Sequence, residues 1–168
     1  MGPTGIGLAY LSERALDTLR PSALGWHSIA EWKDVGRMLR YDFVLPEEAR
    51  RFEPGMLNFP GLVMRERSLD LILEVGIAAI EARILDLTGR LIAGLADRGY
   101  TVVGSRRPAE RAGIVAFEAR RGRSLASVKD LHARGIVVAG REGRVRVSPH
   151  FYNRAEEIDA LVAALTPE

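Results

Sequence analysis

The sequence predicts a mixed α/β chain: part of one body, then a long helix, then a small α+β domain at the C-terminal end. Three observations predict it. Apolar residues recur at three- and four-residue steps from Leu69 through Ile72, Leu73, Ile77, Ile80, Ile84, Leu87 and Leu91 to Leu95, which is one face of a helix over 68–98. After Gly99 the pattern breaks into short alternating runs and two more helical stretches. Before the helix, residues 22–60 show no period and hold both tryptophans, Trp26 and Trp32.

Taken in order, residues 5–11 place Ile6, Leu8 and Tyr10 on one side with small residues between, which predicts a strand. Ser12-Glu13-Arg14 opens a short helix to about Leu19, and Pro21 ends it because the residue before a proline disfavours helix. The irregular stretch 22–60 closes on a turn-rich run, 52–61; loops of such length are uncommon in compact domains unless they serve a function. The long helix would measure roughly 45 Å at 1.5 Å per residue, more than a small domain is wide, so it joins two bodies. Gly76, Gly89 and Gly94 are candidate bends, and Gly99 suits a left-handed cap. Beyond it, 100–103, 113–118, 136–139 and 144–148 read as strands. Leu125, Val128 and Leu131 mark a helix closing at Gly135. Asn153, with Glu156 three residues on, predicts the cap of a last helix carrying Ile158, Leu161, Val162 and Leu165. The expected division is 1–67, 68–99 and 100–168.

Composition narrows the functions. At 168 residues the chain is long enough to bury roughly 70% of its unfolded surface. With 47% apolar and 27% charged residues it has the makeup of an ordinary globular protein. No apolar run reaches the ~20 residues of a membrane helix, and no basic region followed by an apolar stretch opens the chain, so no membrane association and a cytoplasmic location are expected. There is no cysteine, which removes disulfides, thiolate metal sites and cysteine nucleophiles. Of the 24 basic residues only Lys33 and Lys129 are lysines; the rest are arginines, whose planar forks suit carboxylates and phosphates. The densest run, Arg120-Arg121-Gly122-Arg123, is short and lacks stacking aromatics, so it reads as a solvated loop and no nucleic acid is expected. His27, His132 and His150 are too far apart for paired metal spacing, so no metal is expected; His150 reads as structural, although it lies near Arg146 in sequence. Glu53 alone in a proline-glycine turn does not make acid–base chemistry.

Residues 144–148 alternate, placing Val145 and Val147 on one side and Arg144, Arg146 and Ser148 on the other. Read from residue type alone, Arg146 is an exposed arginine on an edge strand.

Three segments, in this order, resemble the class V aminotransferase family, which includes cysteine desulfurases and isopenicillin-N-epimerase-like proteins. They are Gly2-Pro3-Thr4-Gly5-Ile6-Gly7, the run from Arg51 to Asn58 (RFEPGMLN), and the run from Arg144 to Asn153 (RVRVSPHFYN). The resemblance implies the C-terminal part of a fold-type-I enzyme that uses pyridoxal 5′-phosphate (PLP) on an amino acid or amine. It implies that Arg146 binds the substrate carboxylate. It sets Met56 at the position of the family's phosphate-binding threonine, where a methionine has no hydroxyl and is expected to pack, and leaves Asn58 as a cofactor donor or a turn former. After Asn153 the family commonly has threonine; here it is Arg154. The Schiff-base lysine belongs to the family's N-terminal half, and neither Lys33 nor Lys129 aligns with it, so no catalytic residue is expected in this chain. Persulfide chemistry by this chain is excluded by the missing thiol. Expected partners are a second copy, as a homodimer, or a chain supplying the N-terminal half. A binding or dimerisation module that keeps the fold, or one half of a split enzyme, is the alternative.

Overall fold

The computed structural model describes residues 2–34, 36, 44–118 and 124–166. The chain divides into two compact units, Met1–Leu71 and Ile72–Glu168.

In the first unit, helix α1 (Glu13–Thr18) begins where the sequence predicts, with the Ser12 hydroxyl accepting the N–H of Ala15 at 3.3 Å. The segment before it is extended but is not a strand: it pairs with no other strand among the described residues, and Leu8 and Tyr10 are exposed. Alternation is a local signal, whereas a ladder needs a second chain segment beside it. The irregular stretch is organised by arginine. Short 3-10 turns at Trp26–Ser28 and Ala49–Phe52 lie within it. From the second, Arg50 donates to the carbonyls of His27 (2.9 Å) and Ile29 (3.3 Å), and Arg51 donates to that of Leu16. Arg65 likewise reaches the carbonyl of Ile6 at 3.2 Å. Backbone without a helix or ladder still has carbonyls to satisfy, and a five-donor guanidinium does so over a long reach. Buried His27 lies between Trp26 and Trp32, with ring centroids 4.0 and 4.5 Å away.

The long helix differs from expectation in two ways. It begins at Phe59, not Ser68, because Asn58 caps it: its Oδ1 accepts the N–H of Gly61 at 3.1 Å. Pro60 sits in the first turn, where a missing N–H costs nothing. It is also two helices, α2 (Phe59–Val75) and α3 (Ile77–Asp97), separated by Gly76 at φ +85°. The Gly76 N–H closes the last turn of α2 onto Ile72 at 3.0 Å, and its carbonyl accepts the first bond of α3 from Ile80 at 3.1 Å.

The second unit holds the rest of the fold. α3 ends in the glycine cap the sequence predicts: Gly99 at φ +80° donates to Ala96, and Tyr100 to Leu95 at 2.9 Å. The strands β1 (Val102–Val103), β2 (Val115–Glu118), β3 (Ala139–Arg141) and β4 (Arg144–Val147) form one antiparallel sheet in the order β1-β2-β4-β3. Helices α3, α4 (Ser124–Ala133) and α5 (Ala155–Ala164) supply the rest of a core in which Leu87, Leu91, Leu95, Leu131, Ile158 and Leu161 meet Val115, Phe117, Val145 and Val147.

Several boundaries shift: β1 begins at Val102 and β2 at Val115, each two residues later than expected. β3 starts at Ala139, because 136–138 run ahead of the ladder, with Val138 donating to the His132 ring instead. The cap of α5 is Arg154, not Asn153, and its boxing partner is Glu157, not Glu156: the Arg154 N–H donates to Glu157 Oε2 at 2.7 Å, and Asn153 Nδ2 reaches the same oxygen at 3.2 Å. A backbone N–H paired with a carboxylate at the third helical position fixes the start of a helix whatever side chain the cap carries. The basic run 120–123 lies outside the described residues. Among the described residues no helix is long and apolar enough to cross a membrane.

Candidate functional site

Arg146 is positioned by a hairpin. The loop between β3 and β4 is two residues, Glu142 at φ +46° and Gly143 at φ +73°, the doubly left-handed turn whose twist matches that of paired strands. This turn sets the register in which Val145 and Val147 enter the core and Arg146 faces the other way. β4 is not an edge strand, so the edge reading of Arg146 is corrected: the strand is paired on both sides, and Arg146 stands opposite Ala116 of β2 and Ala139 of β3. Two alanines leave the guanidinium room to either side. Arg146 is half-buried, and its Nε is fully buried with no hydrogen-bond partner among the described residues. Such a donor left unpaired costs about 1–3 kcal/mol.

Beyond the strand, the segment 148–153 turns tightly. The His150 N–H donates to Asn153 Oδ1 at 2.8 Å, and the Asn153 N–H returns to the His150 carbonyl at 2.9 Å. The His150 ring stacks on Tyr152 at 5.1 Å. Its Nδ1 is buried and unpartnered, and burial pushes its pKa below the ordinary histidine value. A neutral ring is what such a position favours at pH 7.

In the first unit, Asn58 has its oxygen committed to capping α2, which leaves its Nδ2 as the donor. Met56 does not pack as expected; it is 70% exposed. Lys33 is exposed, with its ammonium 5.5 Å from the Trp32 ring, and Lys129 is exposed on α4. Sequence reasoning singles out Arg146 as a candidate but not its neighbours Ala116 and Ala139, nor the cross-strand pairing of Glu118, Arg144 and Arg141. Alternation shows which side of a strand a residue faces; the partner across it depends on register, which only the turn chemistry hints at.

The sequence profile of the family described as Aminotransferase class-V matches residues 1–161. The chain belongs to the class-V aminotransferase family. Among curated relatives of this class-V chain, a probable cysteine desulfurase of Pyrococcus abyssi is 31% identical over 98% of this chain and 43% of its own length. Isopenicillin N epimerase of Streptomyces clavuligerus is 30% identical over 98% of this chain and 44% of its own length. Among solved structures, the apo cysteine desulfurase of Thermococcus onnurineus NA1 superposes with a TM-score of 0.81 at 28% identity, covering 96% of this chain and 42% of that one. The cystine C-S lyase C-DES superposes with a TM-score of 0.75 at 22% identity, over 92% of this chain and 40% of that one, a likeness of fold. The chain thus spans about two fifths of the length of the curated relatives it matches, roughly 40–44% in these cases.

Proposed function

We propose that this chain is the C-terminal portion of a PLP-dependent class-V enzyme acting on an amino acid or amine, and that Arg146 holds the substrate carboxylate. The observation that carries this reading is the Arg146 fork: half-buried on a centrally paired strand, between two alanines, with its Nε unpartnered. In this reading residues 1–67 belong to the large PLP-binding domain, 68–99 to the helical link, and 100–168 to the small domain.

The residues present fit PLP in part. Asn58 Nδ2 stands at the start of a seventeen-residue helix, where the free N–H groups favour an anion such as a phosphate. Met56, without a hydroxyl, does not fit a phosphate. When bound, PLP supplies an electron sink for the bonds at the substrate's α-carbon. This chain's own residues do the positioning. Arg146 fixes the carboxylate through two charged hydrogen bonds, and so sets which α-carbon bond faces the cofactor. The lysine that covalently holds the cofactor comes from outside this chain, either from the N-terminal half of a longer protein or from a separate chain, and the working assembly is a dimer. With no cysteine here, persulfide transfer by a residue of this chain is excluded.

Two measurements test this. Borohydride reduction of the chain with PLP, followed by peptide mass spectrometry, is expected to show no adduct on Lys33 or Lys129; a stoichiometric adduct on either overturns the missing-lysine reading. With the N-terminal half supplied, Arg146→Gln is expected to lower kcat/KM for α-amino acids by about 100-fold, the worth of a forked charged pair. An unchanged kcat/KM removes Arg146 from the site.

A further inference from the structure

The face of the sheet turned away from buried Val145 and Val147 carries more positive charge than one carboxylate neutralises. Residues directly opposite in an antiparallel ladder share a face, as do residues two apart on one strand. Arg146 and Arg144 therefore lie on the same side of β4, away from buried Val145 and Val147. Arg144 stands opposite Glu118 on β2 and opposite Arg141 on β3. Three arginines thus share this face with Glu118, while Glu142 occupies the turn at the hairpin tip. No salt bridge joins Arg141, Arg144 or Arg146 to an acid among the described residues. Like charges directly opposite across a ladder, as Arg141 and Arg144 are, disfavour the pairing they sit on unless an anion lies between them.

We propose that this face binds an amino acid with a second carboxylate on its side chain: the α-carboxylate on Arg146, the second on Arg144 with Arg141 behind it. This rests on the reading of Arg146 as the carboxylate ligand. The spacing suits it. Arg144 and Arg146 are two residues apart along β4, about 6.6 Å at their α-carbons. A dicarboxylate with two or three carbons between its carboxyl groups spans about 4–5 Å with bonds of ~1.5 Å, and the arginine stems close the remainder. The residues opposite Arg146 on both sides, Ala116 and Ala139, are small. A substrate with a neutral side chain leaves Glu118 as the one acid of the strands on this face against three arginines.

The test needs only the chain itself. With arginine side chains labelled for NMR at low ionic strength, acetate and glutarate are titrated against wild type, Arg144→Gln and Arg146→Gln. The expected result is that both anions shift the Arg146 Nε–H signal, that glutarate also shifts Arg144, and that its Kd is about tenfold lower than that of acetate. Arg144→Gln, an exposed substitution, brings the two Kd values together and leaves acetate binding in place. Arg146→Gln abolishes the response to acetate. If acetate binds at Arg146 and glutarate gains nothing over it, the dicarboxylate proposal fails while the carboxylate role of Arg146 stands. If neither anion moves the Arg146 signal, both fall.

Discussion

Arg90 and Asp159 form a forked pair between α3 and α5, with both nitrogen–oxygen contacts at 2.6 Å. The hydrogen bonds from Arg90, and then its charge, hold the Asp159 carboxyl below the usual aspartate range. The Arg154 N–H, and then Asn153, do the same for Glu157. A carboxyl whose pKa is lower folded than unfolded stabilises the fold fully above its unfolded value, about 4, and loses that contribution as pH falls through the folded value. Unfolding midpoints in urea are therefore expected to drop on acidification below about pH 4, and Asp159→Asn is expected to be less stable at pH 7 with a shallower acid limb. Both groups of the pair are half-exposed, so high salt should narrow the difference from wild type. Identical acid limbs for wild type and variant would show that the pair is ornamental. His150 adds a second window. Its pKa is lowered by burial, so stability begins to fall below about pH 6.5, and His150→Asn is expected to flatten that part of the curve.

Among elements, the helices of the second unit make the sharpest prediction, because two glycines of α3 have opposite surroundings. A β-carbon at Gly94 would lie 2.8 and 2.9 Å from the two Val162 methyls of α5, closer than packed atoms come. One at Gly89 would meet nothing nearer than the Arg111 guanidinium at 3.6 Å. Gly89→Ala is expected to stabilise the fold by up to about 1 kcal/mol through helix propensity. Gly94→Ala is expected to destabilise it by about 1–3 kcal/mol, since overpacking outweighs the same propensity gain. Chemical denaturation of the two variants side by side decides it; a stabilised Gly94→Ala would mean that α5 yields without cost. This contrast also shows where the sequence stops being informative. The apolar stripe of α3, its Gly99 cap and the two faces of β4 are local patterns, and they were legible. Asn58 as the start of α2 was hidden because its cap is followed by proline and glycine, which read as a turn. Three candidate glycines in one helical stripe looked alike, and what separates Gly76 from Gly94 is a left-handed φ at one and a neighbouring helix at the other. The arginines that hold the irregular segment, Arg50, Arg51 and Arg65, have no sequence signature because their partners are backbone carbonyls 21 to 59 residues away.

At the scale of the whole chain, α2 decides the behaviour in solution. Phe59, Val63, Met64, Leu69, Leu71, Leu73 and Val75 are all exposed, Leu73 by 73%. A helix apolar on several sides is one that other protein normally surrounds. That fits a chain covering about two fifths of its relatives, 43% of the P. abyssi protein and 42% of the T. onnurineus structure. Uncovered, a patch beyond a few hundred square ångströms drives association. The chain alone is therefore expected to sediment as a dimer or larger species, shifting toward monomer on dilution over about a hundredfold range. Val63→Gln with Leu73→Gln removes two exposed apolar side chains and replaces them with a good helix former, so it should weaken association without loss of helical circular dichroism. Under the proposed function, a chain supplying the N-terminal half should do the same by covering the surface, and should give a defined complex in place of a concentration-dependent series. A wild-type chain that stays monomeric throughout would mean that α2 needs no cover, and would remove the support this exposed surface gives to the proposal that the chain is one portion of a longer enzyme.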